Sequence, residues 1–117
     1  MFKPKIKRMN EFVKFITFNT AKAITLAPFG IYIKDKYLKD EYIINHEKIH
    51  WKQEMEMFII FFYIWYFMEW LWKTGIYGQR AYENLSHERE AFKYTYDLNY
   101  LKTRKIYSWI KYLSKSI

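Results

Sequence analysis

A chain of 117 residues, 51% of them hydrophobic, supports one domain with a single core, not two. It has no cysteine, which excludes disulfides, thiolate zinc sites and a cysteine nucleophile, so any metal must be held by imidazole and carboxylate. The net charge of +8 sits at the ends: residues 1–14 hold five Lys/Arg against Glu11, and residues 102–117 hold five with no acid. Basic fringes suit an anionic membrane surface or a nucleic acid. The chain has no zinc finger, Gly-rich phosphate loop or RNP-like strand, so nucleic-acid binding is not expected.

In chain order, residues 1–14 form a basic arm. The apolar stretch behind it is broken by Lys14, Asn19 and Lys22, and no secretory signal peptide is expected. Residues 12–18 read as a short strand or a helical turn. Residues 23–26 and 31–33 are strand candidates joined by Ala27-Pro28-Phe29-Gly30, which predicts a hairpin. Its second strand, running into Lys34-Asp35-Lys36, is expected at a sheet edge, where an extended peptide can add by main-chain hydrogen bonds. Asp40 suits a helix N-cap, with Glu41 in the first turn. Neither Gly nor Pro occurs between Ile31 and Thr74, so nothing obliges the helix to stop before Gly75. Uninterrupted, it would be about 50 Å long, against a radius of gyration of ~13 Å for a compact domain of this size. A bend, a break or a projecting end is therefore expected.

Within this helix, His46, Glu47 and His50 form H-E-x-x-H. Residues i and i+4 lie one turn apart on one face, so both imidazoles can reach one metal ion. Glu47 borders that face, where a carboxylate can act as general base without being a ligand. The second half of the helix, residues 57–68, reads MFIIFFYIWYFM and is apolar on every side; only Glu69 interrupts it before Trp70-Leu71-Trp72. Such a segment is buried in a core, a membrane or a partner. It falls short of the ~20 residues of a spanning helix. The segment 57–72 is thus expected to be core, membrane contact or a homo-oligomer surface.

Residues 80–100 have helical spacing, with Ser86 as a candidate N-cap, and residues 102–117 read as a basic amphipathic helix. A catalytic zinc takes three protein ligands and keeps one open position. The third must come from another element, and His87, Glu88 and Glu90 are all available to a helix that folds back. Gln53 and Asn84 are candidates to orient a ligand. Glu54 shares the histidine face as a rival ligand, one turn beyond the ideal position. Glu56 reads as a solvated or helix-pairing charge. Tyr82, His87, Arg89 and Tyr94 are candidate oxyanion donors.

His46-Glu47-Lys48-Ile49-His50 followed by Glu88-Arg89-Glu90-Ala91 resembles the gluzincin metallopeptidases. The layout is most similar to the minigluzincins, the HtpX-like membrane proteases and the peptidase domains of the BlaR/MecR antibiotic sensors. That resemblance implies a zincin-like α+β fold, mostly α, with a small N-terminal β-hairpin or sheet on a long active-site helix plus two further helices. It implies Zn²⁺ held by His46, His50 and Glu88, Glu47 as catalytic base, and a peptide or protein substrate. It also implies a cytoplasmic location, or a peripheral or integral one at the inner membrane.

Over nearly its whole length the chain also resembles a group of small uncharacterised bacterial HExxH proteins. The shared stretches are Pro28-Phe29-Gly30-Ile31, Asn45-His46-Glu47, Ile49-His50 with Gln53, Ala81-Tyr82 with Asn84, Glu88 with Glu90-Ala91, and Tyr100-Leu101 with Arg104. In that group the position of His87 is commonly aromatic, which argues against His87 as a ligand. Two departures from the peptidases stand out. Lys48 lies between the histidines, and Phe92 follows Ala91 where those families carry an Asp behind the ligand. The alternative is a non-catalytic assembly protein with a structural or vestigial metal site.

Overall fold

The computed structural model describes residues 4–17 and 21–113. It is α+β and mostly α: a three-stranded sheet packed on five helices and several 3-10 turns. Strand β1 (Ile6–Arg8) lies parallel to β3 (Gly30–Ile33), which is antiparallel to β2 (Ala23–Leu26), in the order β1-β3-β2. The hairpin is as expected, but its second strand is central. Part of the basic arm supplies the third strand, pinned by Arg8 to Asp35 with two 3.0 Å bonds. Gly30 permits the pairing: its φ is +145°, and a Cβ there would meet the Lys5 carbonyl oxygen at 2.7 Å. Among the described residues the sheet's two edges therefore belong to β1 and β2.

Helix α1 (Glu11–Ile16) begins at Asn10, whose side chain accepts from the Val13 N–H, so residues 12–16 are helix rather than strand. Phe18 lies outside the described residues. Helix α2 (Glu41–Glu56) starts as expected, with Asp40 accepting from Tyr42 and Ile43 N–H.

The chain then turns by 109° and continues as α3 (Ile60–Tyr77). No Gly or Pro marks the break. Phe58 and Ile59 take φ of 55° and 63°, an unfavourable region for a β-branched residue. The compensation is compactness. A straight helix would overrun a body of 35 × 34 × 25 Å, whereas the folded-back α3 buries Phe62, Glu69 and Lys73. Among the described residues no single helix is long and apolar enough to cross a membrane; only the bent pair α2–α3 passes by length and composition.

Helix α4 (Ser86–Lys93) is shorter than the expected 80–100 segment, which also contains 3-10 turns at Gly78–Arg80 and Tyr82–Asn84. Ser86 is its first helical residue, not its N-cap. Its N–H and hydroxyl both donate to the carboxylate of Glu69 on α3, at 2.6 Å each. Glu69 is also paired with Lys73 at 2.7 Å, so one buried carboxylate ties α3 to the start of α4. The expected basic C-terminal helix is not continuous. Helix α5 (Tyr100–Thr103) ends at Arg104, Tyr107 takes φ 60°, and a 3-10 turn covers Ser108–Tyr112. Arg104 is drawn inward to two carboxylates, which a surface helix would not allow. Residues 114–117 lie outside the description.

Candidate metal centre

Helix α2 carries His46 and His50 on one face, and α4 brings Glu88 against them. The Nε2 of His50 lies 3.1 Å from Glu88 Oε1 and the Nε2 of His46 lies 3.5 Å from it. All three side chains are buried, and one ligand atom from each falls within 4.8 Å of the others. Of the three candidate partners, the structure brings Glu88 to the histidines and turns the other two away.

Glu90 accepts from Gln53, Tyr100 and Arg104. His87 packs between Phe62 and Trp109, at ring separations of 4.7 and 4.3 Å. Burial, aided by the charge of His50, holds His87 neutral with a pKa lowered to about 3.

Second partners fix the imidazoles. The Thr95 hydroxyl donates to the Ala91 carbonyl, so its oxygen, 2.8 Å from His46 Nδ1, is left to accept from that ring nitrogen. The Gln53 amide nitrogen donates to the His87 carbonyl and Glu90, which leaves its oxygen to accept from His50 Nδ1 at 2.8 Å. Each ring thereby keeps a proton on Nδ1 and points Nε2 at Glu88, where a metal ion would meet the Nε2 lone pairs in place of the proton that His50 shares with the carboxylate. Two such lone pairs and a carboxylate oxygen form a donor set that fits a divalent borderline cation such as Zn²⁺.

The protein's own electrostatics mark the same spot. Burial lowers the His50 pKa, but the Glu88 charge and hydrogen bond outweigh it and push the imidazole up to about 10. Glu88 suffers the reverse contest: burial raises its carboxyl, and His50 and His46 pull it well below the usual range. The two thus form an imidazolium–carboxylate pair, with a proton where a cation would sit.

Glu47 lies beside this set, its carboxylate 2.8 Å from the Thr25 hydroxyl of β2. Together Glu47, His50 and Glu88 line a cleft of about 700 Å³ walled by β2 on one side and by Phe62, Tyr63, Tyr66 and Trp70 of α3 on the other. The Tyr66 hydroxyl donates to Glu88 Oε2 at 3.2 Å, and Tyr82 lines the same cleft near Glu88. Burial first, then the Glu88 charge, raises both phenols far above their ordinary range, so both remain donors.

The other predicted positions fall as follows. Gln53 orients His50 as expected. Asn84 donates to the Arg80 carbonyl instead of a ligand. Glu54 is outside the donor set, accepting from the Ala27 N–H and Tyr63, each at 3.0 Å. Glu56 is not a solvated charge; it pairs in two bonds with Arg104. Arg89 donates to the Tyr112 carbonyl, and Tyr94 stacks on Tyr100 at 3.7 Å. Of the oxyanion candidates, only Tyr82 faces the cleft. Lys48 is exposed and leaves the site undisturbed. Phe92 packs on the His46 ring at 4.6 Å, and the polar support expected from an Asp at that position comes instead from Thr95.

Sequence reasoning missed Thr25, Tyr66 and Thr95. No local signal marks them, because each reaches its partner across 22 to 49 residues. No family model, curated protein or solved structure matches the chain.

Proposed function

We propose that the chain is a zinc-dependent metallopeptidase of gluzincin type, with His46, His50 and Glu88 as the ligands that would hold the ion. The observation that carries this reading is the convergence of those three residues, two of which line a cleft together with Glu47. Three protein ligands among the described residues, not four, fit a catalytic site better than a structural one. When bound, zinc supplies a Lewis acid that polarises a carbonyl and acidifies water.

The remaining chemistry belongs to side chains of this protein. Glu47 takes a proton at its carboxylate from the attacking water and delivers it to the leaving amine. The Thr25 hydroxyl holds that carboxylate in place from β2. Tyr66 and Tyr82 line the cleft, and a phenol turned from Glu88 would donate to a developing oxyanion. The open edge of β2 runs along the cleft, so an extended peptide adding to it would be held by main-chain bonds over Glu47.

Elemental analysis of the purified chain, with digestion of an unfolded protein substrate, tests the reading. One equivalent of zinc is expected, lost in His50→Ala and in Glu88→Ala. Glu47→Gln is expected to keep the zinc and lose cleavage by about 10²–10⁴-fold. Stoichiometric zinc surviving both ligand substitutions, or cleavage untouched by Glu47→Gln, overturns the assignment.

A further inference from the structure

The outer face of α3 is a continuous apolar surface that no part of the described chain covers. Ile60, Phe61, Ile64, Phe67, Met68 and Leu71 are all at least half exposed, reaching 63% at Ile60, and share one helical face. The helix has only two charges, Glu69 and Lys73. Both are turned to the opposite side, buried and paired with each other. The exposed Thr74 hydroxyl is satisfied by the Trp70 carbonyl of its own helix. This face therefore carries no charged side chain over its length.

Its surroundings are basic and apolar together. Trp65 meets Trp109 at 5.9 Å, which sets the C-terminal segment along the flank of α3. That segment exposes Ile106 and Ile110 with Lys105 and Lys111, and contains no acid. At the other end, Tyr63 reaches the Ala27 carbonyl at 3.4 Å and so draws the hairpin tip, with Phe29 exposed, toward the start of α3.

We propose that this face seats the protein in the interface of an anionic lipid bilayer, with α3 lying in the membrane plane and Lys105 and Lys111 over the headgroups. The helix has 18 residues, about 27 Å, too short and too firmly packed on its inner side to span. Apolar area sunk to the acyl boundary and lysines facing anionic lipid act together in this mode. A second copy of the chain is the poorer occupant. Each copy carries +8, and pairing two such faces brings like charges together. The proposal goes beyond the peptidase reading and does not depend on it.

Flotation of the full chain with vesicles tests it. With phosphatidylcholine containing a quarter phosphatidylglycerol, binding is expected at least about tenfold tighter than with phosphatidylcholine alone, and weaker in high salt. Lys105→Gln and Lys111→Gln should each lose about fivefold, on the anionic vesicles only. Phe67→Gln with Leu71→Gln should lose at least about tenfold on both. An unchanged melting temperature shows that the variants remain folded. Failure of the unmodified chain to float with either vesicle overturns the proposal. So does a dimer that the Phe67/Leu71 pair dissociates while neither form binds vesicles. Equal flotation with neutral vesicles overturns the role given to the lysines.

Discussion

Helices α2 and α3 are consecutive in the chain and opposite in design. Helix α2 buries the polar Asn45, His46, Glu47, His50, Gln53 and Glu54 beside Ile49 and Trp51, whereas α3 leaves most of its aromatic and aliphatic side chains at the surface. Every buried polar group of α2 named here has a partner on another element: Asn45 on the Tyr94, Thr95 and Asp97 carbonyls, His46 on Thr95, Glu47 on Thr25, Glu54 on Ala27. Hydrogen bonds have direction, so this interior fixes where each imidazole and carboxylate points. Apolar contact has area but little direction, which is what a docking face needs and a catalytic site cannot use. The single buried ion pair of α3 joins the two designs, since Glu69 also receives the N-terminus of α4 and so places Glu88.

The largest effect expected on the polar side is from Arg104→Met. Arg104 neutralises Glu56 and the fully buried Glu90, and Glu90 in turn holds Gln53, the orienter of His50. Removing one partner of a buried pair leaves a stranded charge and costs about 3–5 kcal/mol. A urea denaturation curve should show it, and a loss below about 1 kcal/mol would mean that the lattice is not what holds α2.

Next comes Glu54. Burial, opposed by the Ala27 and His50 contacts, raises its carboxyl from about 4.5 to about 7. A raised carboxyl means that the folded chain keeps a proton that the unfolded chain releases. Its stabilising contribution is present below pH ~4.5 and is lost as pH climbs to about 7, at up to about 1.4 kcal/mol per unit. Glu54→Gln should therefore equal the parent near pH 4.5 and exceed it by up to about 3 kcal/mol near pH 8. A difference that stays flat across this window would show that Glu54 is ionised in its pocket. A smaller effect is expected from Thr95→Val, which removes the acceptor for His46 Nδ1 and should weaken zinc by about 10–100-fold in a competition against a chelating dye. Unchanged affinity would detach Thr95 from the site.

The same contrast explains what was legible in the sequence. His46, Glu47 and His50 could be paired from a helical period, and Asp40 could be named a cap, because those relations span two to four residues. Glu88 was left level with His87 and Glu90 by periodicity, and only the resemblance separated them; the separation in space comes from Glu69 gripping Ser86 seventeen residues away. Length alone predicts a bend, a break or a projecting end in the long helix, and the structure has the break. Its position was hidden, because Phe58 and Ile59 adopt left-handed angles that neither residue type announces. The first strand, three exposed residues long, carries no alternation to read, and without it the hairpin's inner and outer strands were exchanged.

The smallest effect is the sharpest test of the contrast. Phe67→Gln and Leu71→Gln remove two large apolar side chains from α3, yet both positions are more than half exposed and Gln is a good helix former. In lipid-free buffer each should change unfolding free energy by no more than about 0.5 kcal/mol, the range for surface sites, where a buried Leu→Ala costs about 2–5. The measurement is an equilibrium denaturation at two protein concentrations. Concentration-independent curves with little change mean that the apolar face contributes nothing to the monomer's own stability, and that its side chains answer to something outside the chain. A loss of several kcal/mol would place that face against other protein in solution, and α3 would then be an interior helix after all.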